Sequence, residues 1–210
     1  MATTYDLALR LVIPAAAEVA LCYPSVTVDV VADDVPTDII SHGFDLAVNL
    51  GMTEDSSLVR TRLAVFDEPI VATPALAARL GPATRPRDLE RAPCVGHSFL
   101  VQGDRWTFHH GEDSEEVTLD MRGQANTGEG VRALILSGLG LGCLPSYFVE
   151  NDLELGRLVL LCQGWIWKQV TLDALVPSRQ PPRRVRAFLE ILKERARALS
   201  RTAAGGSIRG

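Results

Sequence analysis

The chain predicts an α/β fold, a mostly parallel sheet with helices on both faces, from three observations. Strand-like and helix-like segments alternate from one end to the other. Glycine and proline punctuate most of the junctions between them. A long middle excursion, roughly residues 72–171, leaves one set of elements and returns to it, as a second lobe inserted into a first would. The domain plan is therefore 1–71 with 172–200 as a discontinuous first lobe and 72–171 as the second. The small and polar residues 201–210 are expected to form a disordered tail.

The start allows two readings. Tyr5–Leu21 reads as a helix that stops before Tyr23-Pro24-Ser25, with no strand ahead of it. Alternatively Asp6–Ile13 is a strand, since Leu7, Leu9, Leu11 and Ile13 alternate, with a shortened helix after Pro14. Val26–Ala32 alternates as a strand, and Pro36–His42 makes a short helix stopped by Gly43. Leu46–Leu50 is a buried strand, while Leu58–Phe66 and Pro69–Thr73 are extended. Pro74 opens a helix as a first-turn proline, and Gly81 closes it. Arg87–Arg91 is a helical turn and Cys94–Phe99 a strand. Arg105–His109 and Glu116–Met121 flank a hairpin turn, and Gln124-Ala125-Asn126 is extended. Gly128–Ser137 is a helix with Val131, Leu134 and Ile135 on one side, followed by the strand Leu141–Leu144 and a helix from Pro145. Leu158–Leu161 and Val170–Val176 are strands. The last helix, Pro182–Leu199, aligns Val185, Phe188, Leu192, Ala196 and Leu199 in a stripe between arginines and glutamates.

Bulk properties narrow the function. At 210 residues and 47% hydrophobic composition the chain can bury a substantial core. Its net charge of −5 supplies no basic field, which argues against nucleic-acid binding by this chain alone. No apolar run approaches the roughly 20 residues that span a bilayer, and the start lacks a secretory leader, so a cytoplasmic protein with no membrane partner is expected. Cys22, Cys94, Cys143 and Cys162 lie far apart among apolar neighbours, which predicts buried free thiols.

Phe44–Leu63 is the most telling stretch. A buried strand ends at Gly51, Asp55-Ser56-Ser57 supplies turn chemistry, and a second strand-like run comes after it. Such a strand delivers a ligand loop at its carboxyl end, so Asn49, Leu50 and Gly51 are candidate ligand contacts. No Ser/His/Asp order, carboxylate pair or phosphate loop stands out, and no catalytic residue, metal ligand or cofactor is expected. Gly138, Gly140 and Gly142 join a helix to a strand, the reverse of a dinucleotide fingerprint, and read as helix termination and close packing.

Read in order, several segments resemble the effector-binding domain of LysR-type transcriptional regulators. They are Tyr23-Pro24-Ser25-Val26, Gly43-Phe44-Asp45-Leu46-Ala47-Val48, Asp55-Ser56-Ser57-Leu58, Thr73-Pro74-Ala75-Leu76, Pro86-Arg87-Asp88-Leu89, Trp106-Thr107-Phe108, Asn126 before its helix, and Ser137 through Pro145. The resemblance runs from about Leu11 to Arg195. It implies two Rossmann-like lobes joined by two crossover strands, of the type II periplasmic-binding-protein kind. A small effector, often a carboxylate or aromatic acid, would sit between the lobes. The regulator would form a homodimer or tetramer, and DNA would be held only by an N-terminal winged helix-turn-helix that this sequence does not contain. The family opens this domain with a strand and then a small hydroxyl residue that starts the first helix. If Tyr5–Leu21 is the helix, that strand is missing here. An alternative function on the same fold is a type II solute-binding protein of a transport system.

The resemblance adds candidates in the second lobe. Asn126 or Thr127 caps a helix, and Asn126, Thr127 and Gly128 would present its amino end to an effector carboxylate. His97 and Ser98 end a strand facing the ligand, although His97 reads equally as an ordinary loop histidine. Trp106 either covers an aromatic effector or anchors the core, and Pro145 opens a helix at the same edge. His109 and His110 are adjacent in a strand, so their side chains diverge and do not form a metal site.

Overall fold

The structure is a computed structural model that describes residues 1–33, 43–51, 58–100 and 103–205. The chain divides into two compact units. The first contains Met1–Val65 and Val170–Arg201, and the second contains Phe66–Gln169. The chain passes from one unit to the other inside strand β4 (Val59–Ala72) and returns inside strand β11 (Ile166–Val176).

In the first unit, strand β1 (Ala2–Thr3) lies between β2 (Val31–Ala32) and β3 (Ala47–Leu50), parallel to both. The β11 strand then pairs antiparallel with β3, from Leu172 opposite Leu50 to Leu175 opposite Ala47. The first strand is therefore present. Two residues carry no period, so the sequence could not show it. Beyond β1 the chain is helical as far as Cys22: α1 (Tyr5–Leu7), a π-helical stretch Ala8–Val12, and α2 (Ile13–Cys22). The alternation at Leu7, Leu9, Leu11 and Ile13 does not make a strand. Pro14 explains the π stretch. It has no N–H to give the Arg10 carbonyl and its ring would crowd that oxygen, so the helix widens just before it. Leu7, Ala8, Leu11, Val12, Ala15 and Val19 are buried, leaving Tyr5, Leu9 and Ile13 exposed.

The strand expected over Val26–Ala32 shrinks to Val31–Ala32. The Val26 N–H is committed to a turn with the Tyr23 carbonyl at 2.8 Å, and only the far end of the segment reaches β1. The helix expected at Pro36–His42 and the turn at Asp55-Ser56-Ser57 lie outside the described residues. Helix α6 (Arg183–Gly205) buries Val185, Phe188, Leu189, Leu192 and Ala196, and Arg195 binds Glu18 of α2 at 2.8 Å. Burial of each large apolar side chain contributes roughly 1.5–3 kcal/mol, so the stripe, not the exposed ion pair, fixes the helix. It continues to Gly205, into the stretch expected to be disordered.

The second unit holds a mixed sheet. Strand β5 (Pro93–His97) runs parallel to β8 (Asp120–Ala125), and on its other side the Cys94–Leu141 bridge brings in β9 (Gly142–Cys143). The β4 strand pairs antiparallel with β9, Ile70 opposite Cys143, and with β10 (Val159–Leu160). Strands β6 (Arg105–His110) and β7 (Asp113–Thr118) form the expected hairpin about Gly111. Helices α3 (Pro74–Leu80), α4 (Gly128–Leu136) and α5 (Ser146–Glu154) complete the unit. Its core gathers Ile70, Leu76, Leu89, Trp106, Phe108 and Leu141 with Cys94, Cys143 and Cys162. Burial pushes the Cys94 and Cys162 thiols up to about 12, which makes them inert; Cys22, in contrast, is exposed rather than buried. The glycine series packs as expected. A Cβ on Gly140 would lie 2.7–2.9 Å from the Cys94 backbone, and one on Gly142 2.7 Å from Ile135 Cδ1.

Candidate functional site

Parallel strands end their chain paths on one edge of a sheet, and the segments leaving that edge are where such folds collect ligand groups. In the first unit the edge is built by β1 and β3, with β11 alongside. Ala2, Ala47 and Leu175 are neighbours on one face and pack with Phe44 and Leu58. One pleat further along, on the same face, Asn49 stands opposite Asp173. Thr4 leaves β1 at that level and opens the first helix. Leu50 points to the opposite face, opposite Leu172. Gly51 has φ +91°, its N–H donates to the Thr171 carbonyl at 2.8 Å, and the place of a Cβ is open space.

Asp173 is 1% exposed. Its Oδ2 accepts the Thr171 hydroxyl at 2.8 Å, and Arg60 Nη1 lies 3.8 Å from the same oxygen. Its Oδ1 is buried without a hydrogen-bond partner among the described residues. The sequence reading named Asn49, Leu50 and Gly51 but missed Thr4, Arg60, Thr171 and Asp173. The signal for Asp173 was available, as a lone carboxylate inside the apolar run from Val170 to Val176.

In the second unit, β5, β8 and the β9 segment end together. The Ser98 N–H donates to the Ala125 carbonyl at 2.9 Å, so His97 and Ser98 lie beside Asn126, Thr127 and Gly128. Thr127, not Asn126, caps α4: its hydroxyl accepts the Gly130 N–H at 3.0 Å. The turn is tight, since a Cβ on Gly130 would meet Ala125 Cβ at 2.7 Å. Asn126 is exposed beside this positive end of the helix. The Glu129 carboxylate in the same turn is drawn to Arg132 at 3.2 Å, and Arg132 also grips the buried Asp152 at 2.6 Å. His97 Nδ1 accepts the Phe99 N–H at 3.3 Å, so that nitrogen serves its own loop.

Pro145 follows β9 and opens α5. Across from this segment, β4 carries Glu68 two residues before Ile70, the partner of Cys143. Glu68 is 3% exposed and its Oε2 has no hydrogen-bond partner among the described residues. Burial raises its carboxyl to about 7, against a smaller opposing pull from Lys168. Sequence reading missed Glu68 as well. Trp106 does not join this edge. It is 2% exposed in the core, stacked at 6.2 Å on Phe108 and in contact with Trp167, so its ring has no face to offer a ligand. Among the described residues no group of His, Cys, Asp and Glu could hold a metal, and no helix is long and apolar enough to cross a membrane.

Known proteins match most of the chain in sequence and in fold. The family model described as the LysR substrate binding domain matches residues 1–197. The HTH-type transcriptional regulator PtxR of Pseudomonas aeruginosa is 41% identical over 175 residues, covering 82% of this chain and 55% of that regulator. The HTH-type transcriptional regulator CrgA of Neisseria meningitidis serogroup B is 27% identical over 188 residues, 89% of this chain and 62% of its own length. The chain thus spans a little over half the length of these curated relatives. The solved CrgA regulatory domain superposes with a TM-score of 0.76 at 26% identity, covering 92% of this chain and 95% of that one. The effector domain of AmpR of Pseudomonas aeruginosa does so with a TM-score of 0.74 at 15% identity, over 95% and 96% of the two chains, a likeness of fold.

Proposed function

The chain belongs to the LysR substrate-binding domain family, an effector-binding regulatory domain of transcription regulators and not an enzyme, and we propose that it senses a small organic acid for a longer DNA-binding regulator. In this reading the two compact units are the two effector-binding lobes. The effector carboxylate takes the amino end of α4, at Asn126, Thr127 and Gly128 with His97, Ser98 and Pro145 beside it. Asn49, Leu50 and Gly51 are the contacts proposed at the sheet edge of the first unit. The observation that carries the reading is the convergence of those second-unit residues at the carboxyl ends of β5, β8 and β9. The edge also offers a capped helix of nine residues whose dipole favours an anion.

Regulation rests on differential affinity. An effector that binds one arrangement of the regulator more tightly shifts the population towards it, and no other property of the ligand can do so. Domains of this family bind small-molecule effectors and oligomerise; for this chain the proposed partner is a second copy, and the proposed compartment is the cytoplasm. DNA would be contacted only through a region outside this sequence. The same fold would serve a solute-binding protein of a transport system, but the curated relatives PtxR and CrgA are regulators.

Calorimetry with benzoate, phenylacetate, succinate and glutarate tests the acid site. At least one is expected to bind, and Asn126→Asp is expected to weaken it about 10-fold or more by placing a like charge at the anion position. The same substitution suits a helix start and leaves thermal stability unchanged or slightly higher. Binding that ignores Asn126→Asp, or four acids that all fail at millimolar concentration, would remove the acid reading.

A further inference from the structure

We propose that the first unit carries a second ligand site, for an apolar amino acid, at the edge of its sheet opposite Asn49, Leu50 and Gly51. The inference goes beyond the effector-sensing function and does not rest on it. The site is a cavity of about 480 Å³, counted to its open mouth, and its described lining belongs to the first unit alone. It lies where the chain enters the parallel strands: Met1 precedes β1, Asp45 and Leu46 precede β3, and residues 26–29 lead to β2. The first turn of α6, with Arg184, closes another side. Two segments that the sequence marked and the effector site does not use meet here, one ending at Val26 and one containing Asp45 and Leu46.

The chemistry is split between floor and rim. Val19, Leu46, Val185 and Phe188 line the floor, and an apolar side chain laid on them exchanges water for apolar contact. The rim carries both signs, since Asp29, Asp45 and Arg184 are exposed there. Arg184 Nη2 lies 3.3 Å from Asp45 Oδ1, a contact that engages one nitrogen of the guanidinium fork. Its other donors suit a carboxylate, which would also meet the positive end of α6. Asp29 suits an ammonium. The backbone at the mouth is already committed: the Leu46 carbonyl accepts the Ala2 N–H at 3.1 Å, and the Asp29 carbonyl accepts the Met1 amino group at 2.7 Å. Burial lowers that amino group from its ordinary 8.0, so its claim on the two carboxylates fades as pH rises. A zwitterion with an apolar side chain matches floor, anion and cation together, whereas an acid or an amine alone leaves one rim charge unanswered.

Calorimetry on the full chain at about pH 8 tests the site with L-leucine and L-phenylalanine, each beside its decarboxylated amine and its deaminated acid. At least one amino acid is expected to bind, about 10-fold or more tighter than its own amine or acid. Arg184→Gln is expected to remove the advantage over the amine, and Asp29→Asn the advantage over the acid. Both positions are exposed, so the Tm of the empty protein changes little and folding is intact. Asn126→Asp, which weakens acids at the amino end of α4, is expected to leave amino-acid binding as it is. No binding of either amino acid at millimolar concentration, an analogue that binds as tightly as its amino acid, or an affinity that ignores either rim substitution overturns the inference. An affinity removed by Asn126→Asp overturns it as well, because the amino acid then sits at α4. The acid reading stands or falls separately, on its own four acids.

Discussion

Glu68 shows how one buried carboxyl ties stability to pH. Its carboxyl rises from the ordinary 4.5 to about 7 because burial disfavours the charged form, and the charged or titratable groups felt around it are Lys168 on β11 and the inert Cys143 thiol on β9. A raised carboxyl means that the folded state holds its proton more tightly than the unfolded state. The contribution is therefore complete below about pH 4.5 and is lost progressively as pH rises to about 7. A shift of that size corresponds to roughly 3 kcal/mol. Glu68→Gln keeps the shape and removes the charge, so urea denaturation is expected to show a more stable protein at pH 8 and a flatter profile between pH 5 and 7. A variant with an unchanged slope across that interval would exclude Glu68 as the source. At this scale the sequence spoke least clearly. Asp173 stands alone in an apolar run and Glu68 follows Asp67, but whether either acid is buried depends on which strands surround it, and the string alone does not say.

At the scale of elements, the glycines between α4 and β9 differ in what a side chain would cost. Gly140 faces the backbone of Cys94 at 2.7–2.9 Å, and backbone in a strand cannot step aside. Gly142 faces the end of the Ile135 side chain, which has other rotamers. Gly140→Ala is expected to cost roughly 2–4 kcal/mol in urea denaturation and Gly142→Ala roughly half of that. Equal losses would mean that the strand yields as readily as the side chain. Helices and long strands were legible, because Pro74, Gly81, Thr127 and the stripe of α6 mark caps and periods. Short strands were legible where an apolar run marks them, as β9 lies inside the expected Leu141–Leu144 and β10 inside Leu158–Leu161. β1 was missed and only the end of Val26–Ala32 pairs, because what makes two residues a strand is a neighbour supplied by distant sequence. The helix from Tyr5 was recognised, but its π stretch requires the geometry around Pro14 and leaves no pattern in composition.

At the scale of the whole molecule, the described residues of the first unit leave apolar surface uncovered. Tyr5, Leu9 and Ile13 are 50%, 51% and 44% exposed along one helical segment, and among the described residues β2 ends the sheet with Val31 and Ala32 exposed. A second copy related by a two-fold axis, the partner proposed for this chain, would cover this patch with itself. Sedimentation is expected to show a dimer for the wild type and a monomer for Leu9→Glu, with folding intact because Leu9 supports no core. A variant that sediments like the wild type would move the interface elsewhere. The order of elements suggested an inserted middle segment, and the family resemblance added what kind of fold it belongs to. In the candidate site, the second unit's group follows strand ends that the motifs mark, while Trp106 had to stay open between core and binding face until its burial placed it in the core.

The first unit is assembled from both ends of the chain, with the contiguous second unit between them. During synthesis its early half, including β1, β3 and the buried stripe of α1 and α2, leaves the ribosome well before the partners it needs in β11 and α6. At 5–20 residues per second that delay is roughly 10–30 s. The second unit can fold in the interval, while the apolar faces of the unfinished first one stay unpaired until the end of synthesis.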